Sequence, residues 1–187
     1  YTLLGAAIEG AAGTPISEVI DNLIGSGLGL STLRAEDRSV EDEFRSEVFH
    51  NNSVVTADNI SWKLLGGGME SSVEEMALFC GKLMAGEILS PASLDALWMK
   101  PDNLQNYAMG WDSLRLWNNL TVPSVMKTGM QLGANTHMRL FPSLELGIVV
   151  FSNMRQKGDA SSLTLDIAKE ILPAFSVEPD EGESSGE

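Results

Sequence analysis

One cysteine, Cys80, stands in 187 residues, so the chain can form no internal disulfide and no cysteine-built zinc cluster. Its neighbours Met76, Ala77, Phe79 and Leu83 are apolar, the setting of a buried structural thiol rather than a nucleophile. Basic residues are also scarce: 12 against 26 acidic ones, for a net charge of −14. No basic patch is available to displace counterions from phosphates, which excludes nucleic acid as a partner. Apolar runs long enough to cross a bilayer are missing, so no membrane span is expected. The two histidines, His50 and His137, lie far apart and without carboxylates at ligand spacing, so neither a metal nor another cofactor is expected. Gly25 to Gly29 lack a preceding strand and a following lysine, so no phosphate-cradling loop is read there. Tyr1 follows no initiator methionine and no charged, apolar leader, so the chain reads as a segment of something longer.

What is present is an ordinary globular composition, 43% hydrophobic, in a chain long enough for one substantial core. Leu3, Leu4, Ala7, Ile8 and Ala11 recur at helical spacing up to Gly13. Thr14 as N-cap and Pro15 in the first turn open a second helix through Ile16, Val19, Ile20, Leu23 and Ile24. Residues 34 to 47 alternate acid and arginine without an apolar stripe, as in a solvated excursion or lid. Asn59 to Leu65 reads as a short strand or extended loop before Gly66-Gly67-Gly68. The clearest helix follows, capped by Ser71 or Ser72 with Glu74 or Glu75 three residues on, and lined by Val73, Met76, Ala77, Cys80, Leu83 and Met84. Ser90-Pro91 opens a short helix through Leu94, Leu97 and Trp98.

From Tyr107 the period changes. Residues 107–117, 122–130, 136–141 and 146–151 are short strand-like runs broken by Asn, Pro and Gly, and their closeness favours an antiparallel meander. Leu163, Ile167, Ala168, Ile171 and Leu172 form a last amphipathic helix, halted by Pro173. The order of helices, meander and covering helix is that of an α+β domain over residues 1–172. An acidic tail over residues 173–187 has a disordered composition.

The most chemical stretch is Lys127-Thr128-Gly129, a cation, a hydroxyl and a bare backbone inside an apolar strand. Alternation puts Lys127 and Thr128 on opposite faces, so both serve one ligand only at a sheet edge. Gly129 agrees with close approach of another backbone. Ser124-Val125-Met126-Lys127 also has the S-x-x-K spacing of a serine nucleophile and its lysine. Val122, Pro123 and Val125 make the segment a strand, where those two positions face opposite sides, so this match is a decoy. His137 is the best-placed histidine, and a satisfied strand histidine is favoured over a catalytic one. Trp62, Trp98, Trp111 and Trp117 read as core or cleft wall.

In order and spacing, these segments resemble the serine β-lactamase and penicillin-binding protein superfamily, in its class C-like branch of β-lactamases, D-peptidases and esterases. Tyr1-Thr-Leu-Leu-Gly-Ala-Ala-Ile-Glu is similar to the helix after that family's Y-x-N motif, and Gly66-Gly-Gly-Met-Glu-Ser-Ser-Val-Glu-Glu to its glycine pair and capped helix. Tyr107-Ala-Met-Gly-Trp resembles a strand opening. Lys127-Thr-Gly, Gly133-Ala, Leu140-Phe-Pro and Leu146-Gly-Ile-Val-Val-Phe-Ser-Asn resemble the terminal strands.

The resemblance implies a β-lactamase/transpeptidase-like fold, an antiparallel sheet with flanking helices. It implies acyl-enzyme hydrolysis of a lactam, D-amino-acid peptide or ester, in which a serine attacks a carbonyl and a lysine and tyrosine shuttle the proton. Carried over, Lys127 is the catalytic residue, binding the substrate carboxylate and helping to lower the tyrosine's pKa, while Thr128 hydrogen-bonds the carboxylate and Gly129 admits the substrate like an added strand. The N–H of Met130 is one oxyanion donor. Neither S-x-x-K on a helix nor Y-x-N occurs in residues 1–187, so the fold is expected to be incomplete and the nucleophile to lie elsewhere. Isolated, the chain is then expected to be inactive, with an uncovered apolar face that its own N-terminal portion or a second copy would cover. The same resemblance points to a periplasmic or secreted setting. A non-catalytic descendant that keeps the fold to bind a ligand or partner is the alternative.

Overall fold

The computed structural model describes residues 1–56, 60–101, 106–117, 120–131, 133–154 and 159–175. Its centre is a four-stranded antiparallel meander of β5 (Asp112–Arg115), β6 (Ser124–Gln131), β7 (Ala134–Phe141) and β8 (Leu146–Ser152), in that spatial order. The short connections expected from the sequence permit only this arrangement of neighbours. Register follows side-chain character. Val125 faces Leu140 and Met126 faces Arg139, while β7 aligns Arg139 with Ile148 and Phe141 with Leu146.

Each face of the sheet carries a helix. On one, α3 (Val73–Met84) and α4 (Pro91–Trp98) pack Cys80, Leu83, Leu94 and Trp98 against Val125 and Leu140. The ring of Trp98 meets that of Trp111 edge-on, with centroids 6.4 Å apart. On the other, α5 (Ala160–Ile171) sets Ala168 and the following Leu172 against Phe141, Ile148 and Leu120. Burying side chains such as Leu140 and Phe141 contributes about 1.5–3 kcal/mol each, so these two clusters fix the helices to the sheet.

Local chemistry explains the helix ends. Ser72 caps α3 by accepting from the Glu75 N–H at 3.1 Å, with Glu74 and Glu75 in the first turn and Lys82 in the last. Ser90 caps α4 by accepting from Ser93, with Pro91 at the first position. Helix α2 (Ile16–Leu23) differs from expectation: Pro15 holds the cap position, and the carboxylate of Glu9 on α1 (Thr2–Ala12) accepts from the Ile16 N–H at 2.9 Å in place of Thr14. The apolar stripe of α1 is not packed. Leu3 is 86% exposed and Leu4 52%, and Gly5 is the one buried residue of that helix.

Other expectations also shift. Ser61–Gly66 is a 3-10 helix broken at Lys63 rather than a strand, and Asn59 lies outside the described residues. Tyr107 makes only an isolated bridge to Asp112, so the strand expected over 107–117 shrinks to β5. Gly110, at φ 82°, tightens the turn between them. Past Ile171 the chain continues as a 3-10 turn, Leu172–Phe175, so Pro173 does not end the ordered path; residues 176–187 lie outside the description.

The acid-and-arginine segment is organised by charge. β1 (Arg34–Ala35) pairs with β4 (Met69–Glu70), and Glu70 accepts from Arg34 at 3.0 Å and from Arg45 at 2.8 Å. Burial pushes the Glu70 carboxyl upward, but the hydrogen bonds from Arg45 and Arg34 outweigh it and hold the group below its ordinary range. Arg34 also reaches Asp42 at 2.5 Å. Farther on, β2 (Phe49–His50) and β3 (Ser53–Val54) form a hairpin through Asn51 and Asn52, both at positive φ.

Candidate active site

Strand β6 has two regimes. Its first part is flanked on both sides, since β5 pairs Arg115 with Ser124 and Asp112 with Met126. From Lys127 to Gln131 its only partner among the described strands is β7. The sheet edge that Lys127 and Thr128 need in order to share a ligand is therefore present, inside the sheet rather than at its rim.

Alternation sorts the side chains as the sequence implied. Lys127 lies opposite Met138, on the face packed by α3, and Thr128 lies opposite His137, on the face packed by α5. The half-buried Lys127 donates from Nζ to the hydroxyl of Tyr107. The same ammonium stands 4.9 Å from the centroid of the Tyr107 ring and 5.9 Å from that of Tyr1. Tyr1 in turn sits against Gly110, where an added Cβ would come within 2.9 Å of the Tyr1 hydroxyl oxygen. The turn at Gly110 thus brings two tyrosines to one lysine.

Gly129 faces Thr136, whose hydroxyl occupies the space a Cβ would need. A side chain there would force the Thr136 hydroxyl to move, so the cross-strand neighbour favours the glycine whatever else approaches it. Thr128 and Met130 are exposed. Gln131 completes the row on the Lys127 face: its Nε2 donates to the Gly67 carbonyl at 2.7 Å and its Oε1 accepts from Lys63 Nζ at 3.0 Å. Sequence reasoning identified neither Tyr107 nor Lys63 as site residues. The contacts join residues 20 and 68 positions apart, and no periodicity encodes them.

The S-x-x-K match is a decoy in the structure too. Ser124 is fully buried and accepts from Arg139 Nη1 at 3.1 Å, on the opposite face from Lys127. His137 is a core residue, 1% exposed, with Nδ1 2.7 Å from Thr164 Oγ1. Burial lowers its pKa to about 4, with nearby Arg139 adding to the effect. Burial likewise pushes the Asp112 carboxyl up, against the pull of Lys127, Arg115 and Arg139. Cys80 is buried and its thiol is pushed up to about 12 by desolvation. Among the described residues no group of three His, Cys, Asp or Glu side chains is placed to hold a metal ion. No described helix is long and apolar enough to cross a membrane.

Charge is distributed unevenly along the chain. Between Tyr107 and Met154 the only acids are Asp112 and Glu145, in a chain with 26. Arg34, Arg38, Arg45, Lys82 and Lys169 each have a carboxylate partner. Lys63 and Lys127, like Lys100, Arg115 and Arg139, have no ion pair among the described residues, and each of the two lysines is hydrogen-bonded to a neutral group.

A family model described as Beta-lactamase matches residues 1–170. The chain belongs to the β-lactamase family. Its fold is that of solved β-lactamase-family structures. A class C β-lactamase from Rhodobacter sphaeroides superimposes with a TM-score of 0.74 at 19% identity, over 91% of this chain and 58% of that one. A β-lactamase/D-alanine carboxypeptidase from Pseudomonas syringae gives 0.74 at 16% identity, over 95% and 58%. A D-amino acid amidase from Ochrobactrum anthropi SV3 gives 0.72 at 16% identity, over 92% and 56%. No curated protein matches in sequence. This β-lactamase-family chain thus spans somewhat over half the length of the solved relatives it resembles.

Proposed function

We propose that this chain supplies the substrate-binding strand of a serine hydrolase that forms an acyl-enzyme from a lactam, D-amino-acid peptide or ester. The observation that carries the reading is the Lys127 ammonium, held by the Tyr107 hydroxyl beside the unflanked half of β6. Neutral partners leave its charge available, so it can take a substrate carboxylate without first breaking an ion pair. Thr128 adds a hydroxyl to the same carboxylate across the edge, and Gly129 lets the substrate lie alongside the strand. The Met130 N–H donates to the oxygen on which negative charge develops. Lys127 thus binds and orients, while the attacking serine and its base come from a portion of the fold outside residues 1–187. The unpacked stripe of α1, with Leu3 and Leu4 exposed, supports such a complement. Residues 1–172 act as the C-terminal portion of that hydrolase domain.

Titration of the purified chain with a fluorescent penicillin tests this. Saturable, reversible binding without covalent label is expected, weakened roughly tenfold by Lys127→Met through loss of a charge-assisted hydrogen bond. Binding indifferent to that substitution would overturn the role of Lys127. Rapid turnover of a chromogenic lactam or ester by the chain alone would overturn the assignment of the nucleophile to another portion.

A further inference from the structure

Resting on that reading, we infer that Lys63 is a second cationic contact for substrate, giving the site a preference for acyl groups that carry their own negative charge. If the carboxylate sits at Lys127 and the reacting carbonyl at the Met130 N–H, the acyl portion runs on toward Gln131. Lys127, Gly129 and Gln131 share one face of β6, and at about 3.3 Å per residue the row from Lys127 to Gln131 is roughly 13 Å long. At its far end stands Lys63.

The position of Lys63 is built, not incidental. It breaks the 3-10 helix Ser61–Gly66, with φ −122° and ψ 35°. Gln131 holds it at 3.0 Å, and Gln131 is itself fixed by donating to the Gly67 carbonyl. With the carboxamide nitrogen donating to Gly67, the oxygen is left to accept, and the Lys63 ammonium donates to it. The exposed Trp62 ring lies 5.7 Å from the same Nζ, adding an apolar flank. In a chain of net charge −14, a half-buried lysine whose partner is a neutral amide keeps its charge for a ligand.

The test compares two probes of equal length, N-glutaryl-D-alanyl-D-alanine and N-pentanoyl-D-alanyl-D-alanine, by chemical-shift titration of the 187-residue chain. They differ only in a terminal carboxylate on the acyl side. Tighter binding of the glutaryl probe by about threefold is expected, the size of a solvent-exposed ion pair, and the difference should shrink as salt is added. Lys63→Gln, which retains a donor for Gln131 but no charge, should abolish the difference, and Lys63→Arg should keep it. Lys127→Met should weaken both probes alike. Equal affinity of wild type for the two probes, or a preference that survives Lys63→Gln, would overturn the role of Lys63. A preference for the glutaryl probe with affinities unmoved by Lys127→Met would instead overturn the reading of Lys127 and leave the second cation standing.

Discussion

The hydroxyl of Thr164 on α5 and Nδ1 of His137 on β7 lie 2.7 Å apart with both side chains buried. Because that hydroxyl spends its one proton on the Ser161 carbonyl at 2.9 Å, it must accept from the histidine. His137 therefore carries its proton on Nδ1, and the unpartnered Nε2 is a bare acceptor rather than a stranded donor. The neutral ring fits this site; the charged ring does not.

Acid should act through that ring. Its folded pKa of about 4 is below the ordinary 6.5, so the unfolded chain takes up a proton that the fold refuses. The resulting stability is complete above pH 6.5 and is lost as pH falls toward 4. Denaturant titrations at pH 7 and pH 4.5 should show His137→Asn losing less stability than wild type between the two, by on the order of 2–3 kcal/mol.

Arg139 predicts a coupling. Its guanidinium is 1% exposed, with Ser124 Oγ and the Met126 sulfur as partners and Nε unmatched. Burial lowers its pKa, opposed by the Asp112 charge. Ser124→Ala should cost about 1–3 kcal/mol by stripping a buried cation of its acceptor. In an Arg139→Met background that cost should nearly vanish, and Arg139→Met alone should be neutral or stabilising. A double-mutant cycle in urea measures it.

Gly129 and Thr136 form a compensating pair. Gly129→Ala should destabilise by about 1–3 kcal/mol, because the new methyl meets the Thr136 hydroxyl. Adding Thr136→Ala should restore most of that loss in thermal unfolding. Persistence of the full defect in the double variant would show that the clash lies elsewhere.

Cys80 should be silent toward an aromatic disulfide reagent in the native protein. Burial and a pKa near 12 leave almost no accessible thiolate, and reaction should appear only with unfolding. Fast labelling of the folded chain would contradict the packing of α3 on the sheet.

The parts legible in the sequence were those with a local physical cause. Helix α3 announced itself through Ser72, Glu75 and the row ending at Cys80 and Leu83, because caps and 3.6-residue periodicity act over a few positions. The meander was readable because short connections leave antiparallel neighbours as the only choice. The fold family was legible from the order of its segments. Tyr107 and Lys63 were not, because each meets β6 through a turn whose path depends on the whole fold. Thr14 misled for a related reason: Glu9, on the preceding helix, reaches the orphan N–H first.

The scarcity of acid in the sequence that forms the meander has a kinetic consequence. A small anion far from the protein feels the net charge of −14 and is repelled. Within roughly a Debye length, about 10 Å at 0.1 M salt, it also feels Lys127 and Lys63 directly. Added salt then speeds arrival and shortens residence at once. Both rate constants climb with ionic strength, and the affinity gained from the two lysines falls by less than the residence time does.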